Sequence, residues 1–347
     1  MKLMKTTEAV GQVLCHDITQ IIPGVKKDAV FRKGHIITKE DIPVLLSVGK
    51  DTIYIWENDD TMMHENEAAQ VLYNMCACGT ASKMHPSSVK EGKIEVIADC
   101  DGLLKVDSEK LKKVNSFGEM MIATRHGNTT VKKGDKLAGT RIIPLVIKKD
   151  KLDAASHICD DGPILDIKPF VIRNAAIITT GNEVYHGRIQ DAFTPVIEKK
   201  IAEFGAQMMF HEVFDDDDKK ITDGCLRAIE AGAEIVFCTG GMSVDPDDKT
   251  PLAIKNTGAR IVSYGSPVLP GAMFLLSYYD AGDRLVPICG LPGCAMYNKR
   301  TIFDIVLPRL MACDMILADE LAGLGEGGLC LNCDVCTFPN CGFGKGF

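Results

Sequence analysis

The sequence contains no long hydrophobic run, no cluster of basic residues and no apolar core near its start. No run approaches the roughly 20 apolar residues of a membrane-spanning helix, so we expect no membrane partner. The net charge of −8, without a basic cluster, argues against a nucleic-acid surface. Residues 1–11 lack the apolar core of a signal peptide. These absences predict a cytoplasmic protein, in which the 14 cysteines are mostly reduced thiols.

Three common motifs of nucleotide and zinc sites are also missing. A dinucleotide-binding fold needs Gly-x-Gly-x-x-Gly after its first strand, which Thr180-Gly181-Asn182-Glu183 does not supply. No Gly-Lys-Ser/Thr of a P-loop is present, and His64-Glu65 lacks the second histidine of a zinc HExxH motif. An anion site in this chain would therefore depend on other glycine turns.

The length of 347 residues predicts two or three domains. Changes in composition and periodicity divide the chain into a small α/β piece (1–79), a β-rich module (80–148), a connector (149–173), an α/β domain (174–312) and a cysteine-rich tail (313–347). Within the β-rich module, the alternation of Ile94, Val96 and Ala98, followed by Asp101-Gly102, predicts a β-hairpin that ends at Val106.

From Asn174 onward, apolar strands alternate with capped helices, which predicts a doubly wound, parallel α/β sheet. Three loops at 180–184, 239–250 and 290–294 follow predicted strands of this domain. Ligands bind such sheets at the carboxyl ends of the strands, so these loops are the candidate site. Asp215–Asp218 also follow a strand, but four carboxylates more often mark a solvated helix start than a site.

The middle loop combines groups for an anion with groups for its metal. Gly240 and Gly241 let backbone N–H groups approach an oxyanion, and Asp245, Asp247 and Asp248 supply oxygen ligands for Mg²⁺. The alternative is a tight turn with a solvated acidic face. The buried strand before the loop and the Thr250-Pro251 helix start after it favour the functional interpretation. Glu183, in the first loop, is either a metal ligand or base, or an ordinary surface glutamate.

Four segments of this domain resemble the molybdenum-cofactor-biosynthesis domain. They are Ile178–Glu183, Gly187–Asp191, Thr239–Val244 and Gly290–Gly293. Their order, and the connector before them, resemble most closely the molybdopterin molybdotransferase (molybdenum insertase) family. The resemblance covers about residues 170–312.

The resemblance implies that the domain binds molybdopterin, usually adenylated, and uses Mg²⁺ to insert molybdate with release of AMP. It implies two catalytic carboxylates, Glu183 and Asp248, with Asp245 and Asp248 at the metal. It also implies a set of residues that bind the pterin and its phosphate: Thr180, Gly181, Thr239, Gly240, Gly241, Ser243, Asp245, Gly290, Pro292 and Gly293. It further suggests a homodimer, with a molybdoenzyme or another cofactor-assembly protein as a candidate partner.

The sequence also departs from the family pattern. Residues 1–150 contain no match to the Asp-Gly-Tyr-Ala-like segment of the insertases, Ala272-Met273 replaces Lys-Pro, and Cys294-Ala295 replaces Asn-Pro. A second hypothesis is therefore a non-catalytic molybdopterin-binding protein that acts as sensor, carrier or chaperone. A third is molybdopterin adenylyltransferase activity, since Asp248 falls on the catalytic aspartate of those enzymes.

The last cysteines form a pattern of their own, Cys330-x-x-Cys333-x-x-Cys336-x-x-x-x-Cys341. The Cys-x-x-Cys spacing lets two thiolates reach one metal from a tight turn. Bacterial ferredoxins have a similar run, but with three residues before the last cysteine and proline after it. Both Zn²⁺ held by four thiolates and an iron–sulfur cluster are therefore admissible. The alternative is a mobile tail of reduced thiols between glycine-rich flanks.

Overall fold

The computed structural model of the chain describes residues 2–22, 26–55, 59–78, 83–243, 245–246 and 248–346. Val244 and Asp247 of the middle loop lie outside the described residues. The chain divides into two units, one of residues 1–99, 106–125 and 133–166, and the other of residues 100–105, 126–132 and 167–347. Among the helices of these described ranges, none is both long and apolar enough to cross a bilayer.

The first part of the chain forms two antiparallel strand pairs and two helices. The elements are β1 (Lys2–Lys5), β2 (Ile18–Ile22), β3 (Lys26–Phe31), α1 (Asp41–Ser47), β4 (Thr52–Ile55), β5 (Met62–His64) and α2 (Glu65–Ala77). Strand β1 pairs with β4 and β2 pairs with β3. Leu14, Ile18, Leu45 and Ile53 are buried together and form the core of this part.

The next segment is rich in strands, as predicted, but one strand pairing differs. The elements are β6 (Met84–Pro86), β7 (Lys93–Ala98), β8 (Gly102–Val106), α3 (Ser108–Asn115), β9 (Met120–Thr124), β10 (Thr129–Val131), β11 (Lys136–Ile142), β12 (Val146–Lys148), α4 (Lys149–Ser156) and β13 (Leu165–Lys168). Strands β6, β7, β11 and β9 form one antiparallel sheet, in that order, whereas β8 lies between β10 and β13 in another.

The predicted hairpin of β7 with β8 is therefore wrong, and Gly102 shows the physical reason. This residue is the first of β8, and a Cβ on it would lie 2.6 Å from the carbonyl oxygen of Lys168 and 2.5 Å from Cγ2 of Ile167. Gly102 is thus needed for close approach to β13, not for a hairpin turn. The Asp-Gly pair alone does not distinguish these two uses of glycine.

Residues 174–312 form the predicted α/β domain. Its strands are β14 (Asn174–Thr180), β15 (Gln207–Phe214), β16 (Ile235–Thr239), β17 (Arg260–Tyr264), β18 (Leu275–Asp280) and β19 (Leu285–Leu291). Its helices are α5 (Asn182–Tyr185), α6 (Thr194–Ala202), α7 (Asp218–Glu230), α8 (Thr250–Asn256) and α9 (Ile302–Met311). The six strands form one sheet in the order β15-β14-β16-β19-β18-β17.

The sheet is covered by helices on both faces, because alternate strand residues point in opposite directions. Ile177 of β14 and Phe237 of β16 pack with α6 and α9 on one face. Ile178 and Cys238 pack with α7 and α8 on the other. Strands that are buried on both sides are continuously apolar, which is why the sequence of this domain predicts the α/β class correctly.

The sheet is parallel from β15 to β19 and antiparallel beyond. Strands β15, β14, β16 and β19 run in the same direction, whereas β18 is antiparallel to both β19 and β17. Only residues 281–284 connect β18 to β19, which is too short for a parallel crossover and fits a hairpin. This hairpin makes the sheet mixed at one end, whereas the sequence predicts a parallel sheet.

The cysteine-rich tail is ordered as far as Gly346. It begins with α10 (Ala318–Gly323), and Leu329 then forms a parallel bridge with Leu269. Near its end, Phe343 is buried in the same apolar core as α6 and α9. The alternative of a mobile tail is therefore wrong for the described residues.

Candidate functional site

Three parallel strands of the α/β domain end at the same level. Thr179 of β14 lies opposite Thr239 of β16, which in turn lies opposite Leu291 of β19. The three predicted loops leave the sheet immediately after these residues. The register thus places them side by side along one edge of the sheet, at the strands' carboxyl ends.

Thr180 joins the first loop to the middle loop. Its hydroxyl donates to the carbonyl oxygen of Thr239 at 3.1 Å and lies 3.0 Å from the hydroxyl of Thr250. All three threonines are buried. The start of α8 and the ends of β14 and β16 are therefore held together by side-chain hydroxyls.

The two central glycines are required by this packing. Gly240 has φ +81°, and a Cβ on it would lie 2.1 Å from the carbonyl oxygen of Thr180. Gly241 has φ +53°, and its Cβ would lie 2.9 Å from Oγ1 of Thr250. No side chain fits at either position, so the middle loop presents bare backbone at the sheet edge.

Thr239 carries an unusual hydroxyl at this point. The residue is fully buried, and its Oγ1 has no hydrogen-bond partner among the described residues. A buried polar atom without a partner is costly, by about 1–3 kcal/mol, and such atoms are rare in folded proteins. Because this oxygen has almost no accessible surface, a ligand oxygen beside the glycines could satisfy it only after the middle loop moves.

The two described aspartates of the middle loop form a tight turn. The backbone N–H of Asp245 donates to Oδ2 of Asp248 at 2.9 Å, and the N–H of Asp248 donates to the carbonyl oxygen of Asp245, also at 2.9 Å. Asp245 is exposed and Asp248 is half-buried. Two carboxylates are thus displayed within one turn beside Gly240 and Gly241. Ser243, another predicted site residue, is exposed in the same loop.

Tyr264 is a contact residue of this loop that sequence reasoning missed. Its hydroxyl donates to the carbonyl oxygen of Met242 at 3.2 Å. Burial raises the pKa of Tyr264, and the negative charge of Asp248 raises it further. Tyr264 lies on the edge strand β17, and no motif in the sequence marks it.

Glu183 lies in the short helix α5 after Gly181. The residue is exposed, and its carboxylate points back towards Gly181. A Cβ on Gly181 would lie 3.3 Å from Oε2 of Glu183. The loop is fixed by Asp216, whose carboxylate accepts a hydrogen bond from the N–H of Asn182 at 3.1 Å. The proximity of Glu183 to Asp248, expected from the shared sheet edge, stays a prediction.

The four aspartates after β15 have structural partners. Asp215 forms an ion pair with Lys220, Asp217 caps α7 through the N–H groups of Lys219 and Lys220, and Asp218 accepts from the side chain of Asn256. Together with the contact of Asp216, these bonds agree with the interpretation of the stretch as a helix start.

The third loop is joined to the middle loop through Met242. A Cβ on Gly290 would lie 2.5 Å from both Sδ and Cε of Met242, so this glycine accommodates the methionine. Pro292 is buried, whereas Gly293 is exposed and begins a short 3₁₀ helix. A Cβ on Gly293 would meet nothing within 4 Å, so the space around it is open.

A second polar group lies beside β14 and was also missed as a candidate. Asp191 accepts from Oγ1 of Thr194 at 2.5 Å and from Oγ1 of Thr179 at 3.0 Å, and both hydroxyls lie within 3.2 Å of Nε2 of His211. Burial acts to raise the pKa of Asp191, but hydrogen bonds from Thr194, Thr179 and Phe193 outweigh it and lower the pKa. Asp191 ends the Gly187–Asp191 segment, which could have identified it.

The donor atoms fit Mg²⁺ only in part. In the ranges that the structure describes, no three His, Cys, Asp or Glu side chains are arranged to hold one metal ion. Asp245 and Asp248 offer two carboxylates, and Mg²⁺ is commonly bound by one or two carboxylates together with water and substrate phosphates. Two carboxylates meet only the smaller part of such a ligand set, and among the described residues the tail cysteines do not form a single-ion site either.

The chain matches known protein families over two segments, one of which contains this sheet and its loops. Residues 176–312 match the family described as "Probable molybdopterin binding domain", and residues 3–57 match a domain of unknown function. The first match covers less than half of the chain.

Among curated relatives, the chain is 34% identical over 89 residues to a "Putative competence-damage inducible protein" of a Geobacillus species, which covers 26% of the chain and 20% of that protein. It is 32% identical over 130 residues to a protein of the same name from Bacillus cereus, over 38% of the chain and 31% of the relative. The chain thus spans between about a fifth and a third of the curated relatives that it matches.

Two solved structures are similar to a part of the chain. The tungsten cofactor synthesizing protein MoaB of Pyrococcus furiosus aligns with 42% of the chain and 90% of its own, at 18% identity and a TM-score of 0.31. The protein CinA of Thermoplasma acidophilum, whose function is unknown, aligns with 36% of the chain and 92% of its own, at 20% identity and a TM-score of 0.29.

Proposed function

We propose that this chain binds molybdopterin in its adenylated form at the sheet edge formed by the three loops, and inserts molybdate with Mg²⁺ and release of AMP. The observation that carries the proposal is the register of β14, β16 and β19. It brings the hydroxyls of Thr180 and Thr239, the bare backbone of Gly240 and Gly241, and two carboxylates to one place. A phosphate with its metal requires this combination of groups.

The charges of the loops support a metal-dependent mode of binding. In sequence, the three loops contain only one basic residue, Lys249, against the four carboxylates of Glu183, Asp245, Asp247 and Asp248. A phosphoanhydride would be repelled by these carboxylates unless a cation lay between them. Asp245 and Asp248 would hold Mg²⁺, which supplies charge neutralisation at the phosphoanhydride. The free hydroxyl of Thr239 would donate to a ligand oxygen after the middle loop moves.

A second candidate is a molybdopterin-binding protein without turnover. It is favoured by Ala272-Met273 and Cys294-Ala295, which replace residues that the insertase family usually carries. Cys294 stands where the insertase family has asparagine. It is half-buried, and burial raises the pKa of its thiol, which therefore stays protonated and adds no charge to the loop. Binding of the pterin depends less on these positions than molybdate insertion does.

The experiment incubates the full-length protein with adenylated molybdopterin, Mg²⁺ and molybdate, and a parallel reaction contains molybdopterin with ATP. AMP release with formation of molybdenum cofactor supports insertion. Binding without AMP release supports the second candidate, and adenylation from ATP would identify an adenylyltransferase. Absence of pterin binding in both reactions would contradict the proposed function altogether.

The first variant to test is Asp248→Asn. It keeps an oxygen that can accept from the N–H of Asp245, but it removes the charge that would hold the metal. We expect kcat to fall about a hundredfold or more, which corresponds to about 3 kcal/mol, with unchanged folding. Asp283→Asn, in the exposed turn between β18 and β19, is the matched control. If Asp248→Asn turns over at the wild-type rate, Asp248 has only a structural role in the turn.

A further inference from the structure

The last four cysteines of the tail line a single cavity of the α/β unit. Its volume is about 240 Å³, and its wall includes Cys330, Cys333, Cys336 and Cys341. Cys330 and Cys341 are half-buried, whereas Cys333 and Cys336 are exposed at its rim. Four thiols that are close in sequence are thus also gathered around one space.

The tail that carries these thiols is fixed by contacts on both sides of the cysteine run. Before it, Leu269 donates to the carbonyl oxygen of Gly328 and accepts from the N–H of Cys330, both at 2.8 Å. After it, the N–H of Gly344 donates to the carbonyl oxygen of Gly327 at 3.0 Å. The cavity is therefore a built part of the fold and not a chance gap in a loose segment.

Basic and aromatic side chains complete the wall of the cavity. Lys299 donates to the carbonyl oxygens of Cys333 and Asp334, at 3.4 and 3.1 Å. The guanidinium of Arg300 lies 5.1 Å from the ring centre of Phe338. Burial would lower the pKa of Arg300, but hydrogen bonds with Asp304 and with the thiol of Cys336 raise it. Two cations thus stand beside four potential thiolates.

The spacing of the four cysteines is compatible with a zinc ion or with an iron–sulfur cluster, and the size of the cavity distinguishes between the two. A zinc ion binds thiolates at about 2.3 Å, which would draw four sulfur atoms to within about 4 Å of each other. The described cysteines do not have this single-ion arrangement. The cavity of about 240 Å³ also far exceeds the roughly 15 Å³ that one water-sized probe needs. A cluster of several irons, each bound by one cysteine, suits thiols that are set apart around a space.

We propose that Cys330, Cys333, Cys336 and Cys341 bind an iron–sulfur cluster in this cavity. The Cys-x-x-Cys-x-x-Cys spacing is that of cluster-binding runs, and a fourth cysteine follows after four intervening residues. Transfer of a preassembled cluster from a donor that holds it through four thiolates forms four bonds between iron and these cysteine sulfurs and breaks the four bonds between iron and the donor thiolates. The four cysteine protons pass to the displaced thiolates, and no iron changes its oxidation state. Lys299 and Arg300 offset the negative charge of the thiolates. The site is independent of the pterin site, because none of its residues belongs to the three loops.

The test purifies the full-length protein without oxygen and measures iron, acid-labile sulfide, zinc and visible absorption. We expect iron and sulfide in similar amounts, with absorption that is bleached by dithionite. Cys333→Ser and Cys336→Ser should lose both, whereas the exposed Cys313→Ser, outside the run, should retain them. Zinc without iron would overturn the proposal. So would absence of iron after reconstitution with ferrous iron and sulfide, or equal iron in the Cys333→Ser variant.

Alkylation of the wild-type protein keeps the proposal testable even if the serine variants fail to fold. Cys333 and Cys336 are exposed, so without a cluster both should react readily with iodoacetamide. With a cluster, we expect each of these two thiols to react at least tenfold more slowly than the same thiol does after the cluster has been removed by acid. Rates that are the same before and after the acid treatment would refute the cluster.

Discussion

At the scale of single residues, the candidate site depends on positions where a side chain cannot exist. Gly240 has a positive φ of +81° and lies against the carbonyl oxygen of Thr180. The two restrictions are different in kind, since one is a backbone conformation and the other a steric overlap. The close approach of Gly240 to Thr180 is what joins the first loop to the middle loop.

Gly240→Ala should therefore destabilise the protein by about 2–4 kcal/mol, because a Cβ 2.1 Å from a carbonyl oxygen adds overlap to the cost of positive φ. Gly282→Ala is the matched control, since Gly282 has φ +90° with nothing within 4 Å of its Cβ position. It should cost only about 1–2 kcal/mol. Urea unfolding of both variants checks the difference, and equal losses would mean that the loop moves aside freely.

Residues that only contact and position the loops of the site are harder to predict from the sequence than residues that belong to a motif. Gly240 and Gly241 follow a strongly apolar strand, so the sequence identifies them directly. Tyr264 contacts the loop from an edge strand, and the partners of Asp191 come from three separate elements. Such contacts arise from tertiary packing between distant segments, which no local pattern encodes.

At the scale of elements, the strands and helices of the α/β domain could be predicted because several local signals agree. Strand β16 is fully buried and is apolar from Ile235 to Cys238, and Pro195 and Pro251 lie in the first turns of α6 and α8. The hairpin of β7 with β8 was predicted from a turn signal alone, and it was wrong. The position of β8 is determined by pairing with strands that are distant in the sequence, because β8 lies between β10 and β13.

The strand register supports a prediction on two loops that are 65 positions apart in the chain. If Glu183 and Asp248 act on one bound ion, their effects on the binding of adenylated molybdopterin with Mg²⁺ should not be additive. We expect the Glu183→Gln and Asp248→Asn variants to show a coupling energy above about 0.5 kcal/mol in a double-mutant cycle. Calorimetric dissociation constants of the four proteins provide the measurement.

The control cycle pairs Asp248→Asn with Asp283→Asn, whose exposed carboxylate lies in the turn between β18 and β19. Distant sites are usually additive to within about 0.5 kcal/mol, so this pair should show no coupling. Additive losses for Glu183 and Asp248 as well would mean that the two carboxylates act on separate parts of the ligand, or that Glu183 is a surface residue.

At the scale of the whole molecule, the second unit is assembled from three separate segments of the chain. Asp314, after α9, joins two of them. Its carboxylate contacts Lys105 at 2.8 Å, Lys168 at 2.5 Å and Arg309 at 2.6 Å. Lys105 comes from β8 and is 209 positions away in the chain. One nearly buried carboxylate thus pairs with cations from two of the three segments.

This cluster makes a definite prediction for stability at low pH. Burial acts to raise the pKa of Asp314, but hydrogen bonds from Lys105 and Lys168 and the charge of Arg309 lower it to about 2. Because the pKa in the folded state lies below the ordinary value of 3.8, the stabilisation is fully present above about pH 4 and is lost as the pH falls towards 2. The stabilisation amounts to about 2 kcal/mol.

Asp314→Asn should lower the free energy of unfolding at pH 7 by about 3 kcal/mol, because three cations lose their shared carboxylate. It should also flatten the fall in stability between pH 4 and pH 2. Urea midpoints measured across this range check both effects, with Asp223→Asn on the exposed face of α7 as the control that keeps the wild-type slope. An unchanged slope in Asp314→Asn would show that other carboxylates govern acid unfolding, and that the two segments joined at Asp314 are held together by apolar packing rather than by its carboxylate.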